Sequence, residues 1–352
     1  MSDLKTAETE KRSKLQKEKP HVYEKVMRFA DKVKRGESIA ILQFQYDYTC
    51  NFQCEHCAVK RFQGKKNARF FTLDDVRELS RQADELGLAN IVITGGEPLV
   101  FKDFDKLVEA IDPQKFYITS DSNGWFLDDA KARHLKEIGV DKIQLSLDSL
   151  NAREHDDFRH HAGSHARAVR AIDACLNAGL NIILSTVVTH QRIKTDEFIE
   201  FLEFAKSKGV GTFVTYGKPV GCWQGNFDML VTADDMKYMR DVLEKKYDVF
   251  THLTSSYGMN LGCIAVKRMV SVTKYGDIMP CPYMHVSLGN FFKEPLKDIL
   301  ARGMKNKWFG RHVDTCLAAQ SRSFIDKYIV PTYDRELPVP YDDIFTDDDL
   351  IK

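Results

Sequence analysis

The chain has no surplus of either charge: 51 Lys and Arg stand against 51 Asp and Glu, a formal net charge of zero. A polyanion-binding protein usually carries a basic excess, so the bulk charge gives no sign of a nucleic-acid partner. Long apolar runs are also missing. None approaches the about 18 residues needed to span a bilayer, and the Lys- and Glu-rich N-terminus lacks the apolar core of a secretory signal. A cytoplasmic protein that engages no membrane is therefore expected. There is no low-complexity tract. Cysteine is scarce, eight in 352 residues, at positions 50, 54, 57, 175, 222, 263, 281 and 316. Clustered as they are, in a chain without secretory features, these cysteines point to metal or redox chemistry rather than a disulfide frame.

What is present is an alternation of strand-like and helix-like segments. The strand-like ones are residues 39–46, 90–94, 115–119, 142–147, 181–188 and 211–215, with helical patterns at 73–86, 104–110, 128–138, 164–178 and 195–208. Thr72 with Asp75 reads as a capping box, and Gly87, Gly139, Gly179 and Gly209 each follow a helical run, as C-terminal caps do. Such alternation predicts a parallel α/β sheet with right-handed crossovers and an active site at the C-terminal strand ends. Ahead of it lies a charged segment, residues 1–36, with a helix around Val22, Val26, Phe29 and Val33 after a frayed start. The sheet region is expected over residues 37–217 and a smaller extension over 218–330. In the extension a helix fits residues 233–247, strands fit 265–273 and 278–288 as a hairpin about Tyr275-Gly276-Asp277, and a short helix fits 296–301. Residues 331–352 are acidic and carry Pro331, Pro338 and Pro340, so they read as a solvated tail or, by opposite charge, a partner for the basic N-terminus.

Cys50, Cys54 and Cys57 form a C-x3-C-x2-C loop directly after the first strand. Three thiolates this close suit an iron–sulfur cluster with one iron left open. A zinc site would add a fourth local ligand in paired form, and His56, between two cysteines, is poorly placed for that. Gly95-Gly96-Glu97-Pro98 follows the second strand, Ser120-Asp121-Ser122-Asn123-Gly124 the third and Ser146-Leu147-Asp148-Ser149 the fourth; Arg159 and Gly163-Ser164 come next. In this order the motifs resemble those of the radical S-adenosylmethionine (SAM) superfamily over residues 39–215. The resemblance implies a partial (β/α)6 barrel. It implies that Cys50, Cys54 and Cys57 hold a [4Fe–4S] cluster whose open iron takes SAM, and that cleavage of SAM yields a 5′-deoxyadenosyl radical. It also implies SAM-side roles for His56 near the adenine, for Gly95 and Gly96 as a close backbone approach, and for Glu97 as acceptor from the methionyl ammonium or as support of its loop. Ser120, Asn123, Ser146 and Arg159 complete the set, the two serines toward the carboxylate or ribose. An electron donor such as flavodoxin or ferredoxin is implied as partner.

A second group follows: Cys263, then Gly276, then Cys281-Pro282, with Cys316 further on. The hairpin and short helix resemble a C-terminal twitch/SPASM extension. That resemblance implies an auxiliary iron–sulfur cluster on Cys263, Cys281 and Cys316. Position 319 is Ala where a C-x2-C pair would place another thiolate, so the fourth ligand is open. Cys222 could supply it, or the site could stay open to substrate. Cys222 or Cys316 could instead donate a hydrogen atom, as in radical epimerases, and buried small hydrophobes are the plain alternative for all of them. Cys175, mid-helix, reads as core. No peptide-binding winged helix fits into residues 1–36, which favours a small polar substrate, sugar-, cyclitol- or nucleotide-like, leading to oxidation or epimerisation. Tyr216, Lys218, Trp223 and Gln224, with Tyr257, Asn260, Arg268, Tyr283 and His285, are the candidate contacts. A peptide-modifying enzyme and a non-catalytic electron-transfer or scaffold protein are the alternatives.

Overall fold

The computed structural model describes residues 12–62 and 68–352. The frayed start expected before the first helix lies largely at residues 1–11, outside the described residues. Six parallel strands form where the alternation predicts: β1 Ile41–Asp47, β2 Asn90–Gly95, β3 Tyr117–Ser122, β4 Lys142–Ser146, β5 Asn181–Val188 and β6 Gly211–Tyr216. They continue into one ten-stranded sheet with β7 Val249–Thr251, β8 Met269–Val272, β9 Asp277–Met279 and β11 Gly289–Asn290; the order is β11-β9-β8-β1-β2-β3-β4-β5-β6-β7. A separate two-stranded ladder joins β10 Val286–Ser287 to β12 Val339–Pro340. The sheet is not closed. Side chains from β1, β3, β4, β5 and β6 nevertheless line one cavity, so it curves into a partial barrel.

Strand alternation decides which side each residue serves. Leu42, Phe44, Ile91, Ile93, Ile118, Ile143 and Leu145 are buried in the core, whereas Gln43, Asp121, Gln144, Ser146 and Ser185, on the other face, line the cavity. Thr72 does form the capping box on helix Leu73–Glu85, and the backbone has positive φ at Gly87, Gly139, Gly179 and Gly209.

The hairpin of the extension is not a separate appendage. β8 pairs with β1 in parallel, Leu42 opposite Val270, and Gln45 donates from Nε2 to Ser271 Oγ at 2.9 Å. The helix expected over 233–247 is interrupted: Ala233–Tyr238 passes through a π turn, Met239–Leu243, into Glu244–Lys246. The N-terminal helix is likewise two pieces, Pro20–Met27 and Phe29–Lys34.

The solvated acidic tail is a correction. Phe345 is buried against Phe309, Tyr328 and Tyr341, and Val339 and Asp349 are buried too. The Asp349 carboxylate accepts from Tyr328 Oη and lies 3.2 Å from Lys307 Nζ. Acidic composition pointed to water, but the aromatic and aliphatic residues between the carboxylates supply enough apolar surface to dock. The basic N-terminal segment pairs elsewhere, Lys19 with Asp141 at 2.5 Å and Lys25 with Asp84 at 2.6 Å. Phe345→Ala should therefore lower stability by about 3 kcal/mol in urea unfolding; an unchanged midpoint would restore the solvated tail.

Candidate functional site

The Cys50–Cys57 loop leaves the C-terminal end of β1 and is held there by backbone. Gly96 N–H donates to Asp47 O at 2.8 Å and Glu97 N–H to Thr49 O at 2.9 Å. This approach excludes side chains: a Cβ on Gly95 would stand 2.1 Å from Asp47 O, and one on Gly96 1.9 Å from Thr49 O. The two glycines therefore serve the close packing of this loop on the cysteine loop, where a close approach to the cofactor was expected.

Glu97 is buried and accepts from Asn123 N–H at 2.7 Å, Ser122 Oγ at 2.9 Å and Leu99 N–H at 3.2 Å. Burial pushes its carboxyl up to about 7 against these donors. Of the two roles open to Glu97, the geometry displays the loop-supporting one. Asn123 passes the connection on, donating from Nδ2 to Asn51 Oδ1 at 2.9 Å, inside the cysteine loop.

A second clamp comes from β4. Asp148 lies just past its end and accepts from Val187 N–H at 3.0 Å and from Arg159 Nε at 2.7 Å; Arg159 Nη1 reaches Cys54 Sγ at 3.6 Å. Burial opposes ionisation of Asp148, but Arg159, with His56 and His155, holds its carboxyl down to about 2. Arg159 thus brings positive charge to the Cys54 sulfur. The His56 ring lies flat on Phe158, centroids 4.7 Å apart. Burial pushes the imidazole down to about 4, and its Nδ1, like Asn51 Nδ2, is buried without a partner among the described residues.

Cys263, Cys281 and Cys316 line a cavity of about 210 Å³ inside the curve of the sheet, together with His56, Arg159, Asp121 and Ser146 from the first site. The chamber therefore runs from the second cysteine group to His56 and Arg159 beside the first, while Cys50, Cys54 and Cys57 are not among its lining residues. Lys218 projects into it, its Nζ donating to Tyr216 O at 2.6 Å and lying 4.0 Å from the Tyr283 ring centre. Burial pushes the thiols up, Cys281 to about 12 and Cys316 to about 11, with Cys263 adding to both and Lys218 opposing. Iron would reverse this, since a coordinated thiol loses its proton. Among the described residues no three His, Cys, Asp or Glu side chains converge on a single metal-ion position; cluster thiolates bind separate irons and need not converge. The residues present fit two clusters: three soft donors at each site, with orphaned polar atoms (His56 Nδ1, Asn51 Nδ2, Gln43 Oε1, Asp121 Oδ1) at the first and in the chamber beside it.

Several expectations change. Strand β3 runs to Ser122, so Ser120 is a strand residue, fully buried, donating to Asp121 O at 3.1 Å. The next residue, Asp121, takes the cavity face instead. Cys222 is exposed beside Cys57, its N–H on Cys57 O at 3.0 Å, and does not line the chamber. Gly221, where a Cβ would meet Cys57 O at 2.3 Å, fixes that contact, which removes Cys222 as the auxiliary ligand or a donor inside the chamber. Of the candidate contacts, Lys218 and Tyr283 line the cavity. Tyr216 offers Lys218 its carbonyl. Trp223 and Gln224 bond instead to Glu55 and Asp334, Tyr257 to Asn90 at the start of β2, and His285 packs on Phe62. Arg268 reaches backbone carbonyls of His252 and Thr254, and Asn260 bonds to Gly262 N–H. Missed were Gln43, Asp121, Gln144, Ser185 and His252. Gln43 and Gln144 carry a readable signal, a polar residue between apolar strand neighbours; Asp121 and Ser185 stand beside other polar residues, and His252, after a three-residue strand, carries none.

Comparison with known proteins gives an independent view. The sequence profile of the Radical SAM superfamily matches residues 47–205, and that of the SPASM iron–sulfur cluster-binding domain matches residues 263–320. The chain is 29% identical over 273 residues to the mycofactocin maturase MftC of Mycolicibacterium smegmatis, covering 73% of this chain and 68% of that one. It is 28% identical over 294 residues to the GTP 3′,8-cyclase of Nautilia profundicola, covering 76% and 91%. Among solved structures, Streptococcus suis SuiB bound to its precursor peptide SuiA superposes with a TM-score of 0.58 at 18% identity, over 78% of this chain and 68% of SuiB. Native anSMEcpe with bound AdoMet gives 0.57 at 17%, over 83% and 97%; these two likenesses concern the fold.

Gly96→Ala should displace the Thr49–Cys50 segment and sharply reduce the iron retained on the first cysteine group after anaerobic reconstitution, read by iron assay on a variant lacking Cys263, Cys281 and Cys316. Asp148 supplies a pH test. Its folded value lies below the about 3.9 of an unfolded Asp, so its contribution is complete above pH 4 and is lost as pH falls toward 2. The stability gap between the unsubstituted protein and Asp148→Asn should therefore narrow from pH 5 to pH 3 in urea titrations; a constant gap would show that the carboxylate does not titrate with folding.

Proposed function

Since the chain belongs to the radical SAM superfamily and carries a SPASM-type extension, we propose that it takes a hydrogen atom from a small polar substrate held between its two cysteine groups. The observation that carries this reading is a chamber of about 210 Å³ lined by Cys263, Cys281 and Cys316 and reaching His56 and Arg159 beside the first cysteine group. Its walls offer Gln43, Asp121, Gln144, Ser146, Ser185, Thr215 and Lys218 as hydrogen-bonding groups, with Phe213, Met269 and Met284 as apolar ones.

When bound, the first cluster and SAM supply the 5′-deoxyadenosyl radical. The chain's own residues do the rest. Cys50, Cys54 and Cys57 hold the cluster, and Arg159, anchored on Asp148, balances charge at Cys54. Phe158 positions His56 on the SAM side. Asp121, Gln144 and Lys218 orient the polar substrate so that one C–H faces the reacting carbon, and the curved sheet excludes water that would quench a radical. Cys50 is exposed, which favours electron delivery there from a flavodoxin- or ferredoxin-like donor. With Cys263, Cys281 and Cys316 together in the chamber and Cys222 outside it, a ligand role for Cys316 is the better reading than hydrogen donation. That favours net oxidation over epimerisation.

The test uses reconstituted protein with SAM, dithionite and fractions of an extract from the producing cells, reading 5′-deoxyadenosine. The fraction below about 1 kDa should stimulate it above the uncoupled rate, and Lys218→Met should weaken that stimulation at least tenfold. Stimulation by the peptide fraction alone would favour a peptide substrate, as the precursor peptide bound to SuiB would suggest. No 5′-deoxyadenosine under any condition would favour a non-catalytic iron–sulfur protein.

A further inference from the structure

We propose that His252 is the fourth ligand of the auxiliary cluster, closing it against direct coordination by substrate. This rests on the reading of Cys263, Cys281 and Cys316 as cluster ligands and goes beyond it by filling the position that the sequence leaves open.

Nothing at the expected place can ligate. Residue 319 is Ala, fully buried, with its N–H turned to Cys316 O at 3.2 Å. Cys222 is exposed beside Cys57. Lys218 is next to the thiols, but a protonated amine, here held on Tyr216 O and over the Tyr283 ring, has no lone pair to give to iron. What the fold delivers instead is an imidazole. Strand β7 pairs with β6 in the register Thr212 with Val249, Phe213 with Phe250 and Val214 with Thr251. His252 is the next residue, level with Thr215, and both line the chamber. Its Nε2 lies 3.5 Å from Cys316 Sγ.

The backbone that carries the ring is fixed from both sides. Arg268 donates to His252 O at 3.3 Å, and Thr254 Oγ1 accepts from Thr251 N–H at 2.8 Å. Tyr216 and Phe213 stand edge-on and tilted to the ring, with centroids 5.9 and 6.2 Å away. Imidazole nitrogen is a sound iron donor, and mixed Cys and His ligation of iron–sulfur clusters raises their potential. A neutral nitrogen in place of a fourth thiolate leaves the cluster one negative charge lighter, and the adjacent Lys218 acts in the same direction. Substrate would then meet this cluster across van der Waals contact, with no iron free to bind it.

The test uses the full chain with Cys50, Cys54 and Cys57 all changed to Ala, so that only the auxiliary site loads. The protein is reconstituted anaerobically, with and without ¹⁵N-histidine, and the reduced cluster is examined by pulsed EPR. The expected result is about four irons per chain and a directly bound nitrogen whose coupling changes with the label and disappears in His252→Ala. His252→Cys should keep the iron, lose the nitrogen signal and lower the reduction potential, which separates ligation from a folding defect. A cluster with full iron and no nitrogen coupling, or only the weak coupling of a hydrogen bond to Cys316, overturns the His252 assignment while leaving the auxiliary cluster in place. Absence of iron from this variant overturns the three-cysteine reading and His252 with it.

Discussion

The carbonyl oxygens of Asp47 and Thr49 occupy the places where Cβ atoms at positions 95 and 96 would otherwise stand. That backbone-to-backbone contact is what turns the end of β1 into a platform. It aligns the loop after β2 with the loop after β1 and sets the start of the cysteine triplet. It also brings Glu97 to the N–H of Asn123, and Asn123 to Asn51 within the triplet. A buried carboxylate is costly to leave half-satisfied, so the three donors at Glu97 make the arrangement cooperative. Loosening one strand end loosens its neighbours.

The other side of the site is ordered by charge. Asp148 and Arg159 are a buried pair joined by hydrogen bonds, with a backbone N–H from β5 completing the carboxylate's shell. Such a pair adds little to net stability, but removing one partner strands the other. Its value here is placement, because Arg159 reaches from Asp148 to Cys54. The chamber beyond is polar on its strand faces and ends at the second cysteine group. The hairpin that carries Cys281 is part of the same sheet through the pairing of β8 with β1, so the distance between the two groups is set by hydrogen-bonded strands rather than by a flexible linker.

The parallel strands and their caps were legible because they depend on local periodicity and end signals. The first cysteine group was legible as a group because its three thiols lie within eight residues. Ser120 was misplaced because the strand was expected to end at residue 119, whereas it runs to Ser122, so that alternation turns Ser120 to the core and Asp121 to the cavity. The acidic C-terminus was misread because composition averages over residues that act separately. Phe345 and Val339 dock while the carboxylates around them stay wet or find Lys307 and Tyr328.

By itself, then, the sequence determined the alternation, the order of motifs at successive strand ends, the spacing of both cysteine groups and the Ala at position 319. All of these follow from residue type and short spacing. The tertiary structure alone decided that the chamber of the second group reaches His56 and Arg159 beside the first, that Cys222 lies against Cys57 and that His252 faces the second group. These depend on sheet curvature and on a three-residue edge strand, which brings residues 64 positions apart to 3.5 Å. Contacts of that kind arise from the pairing of distant strands, for which no local stretch of the chain carries a signal.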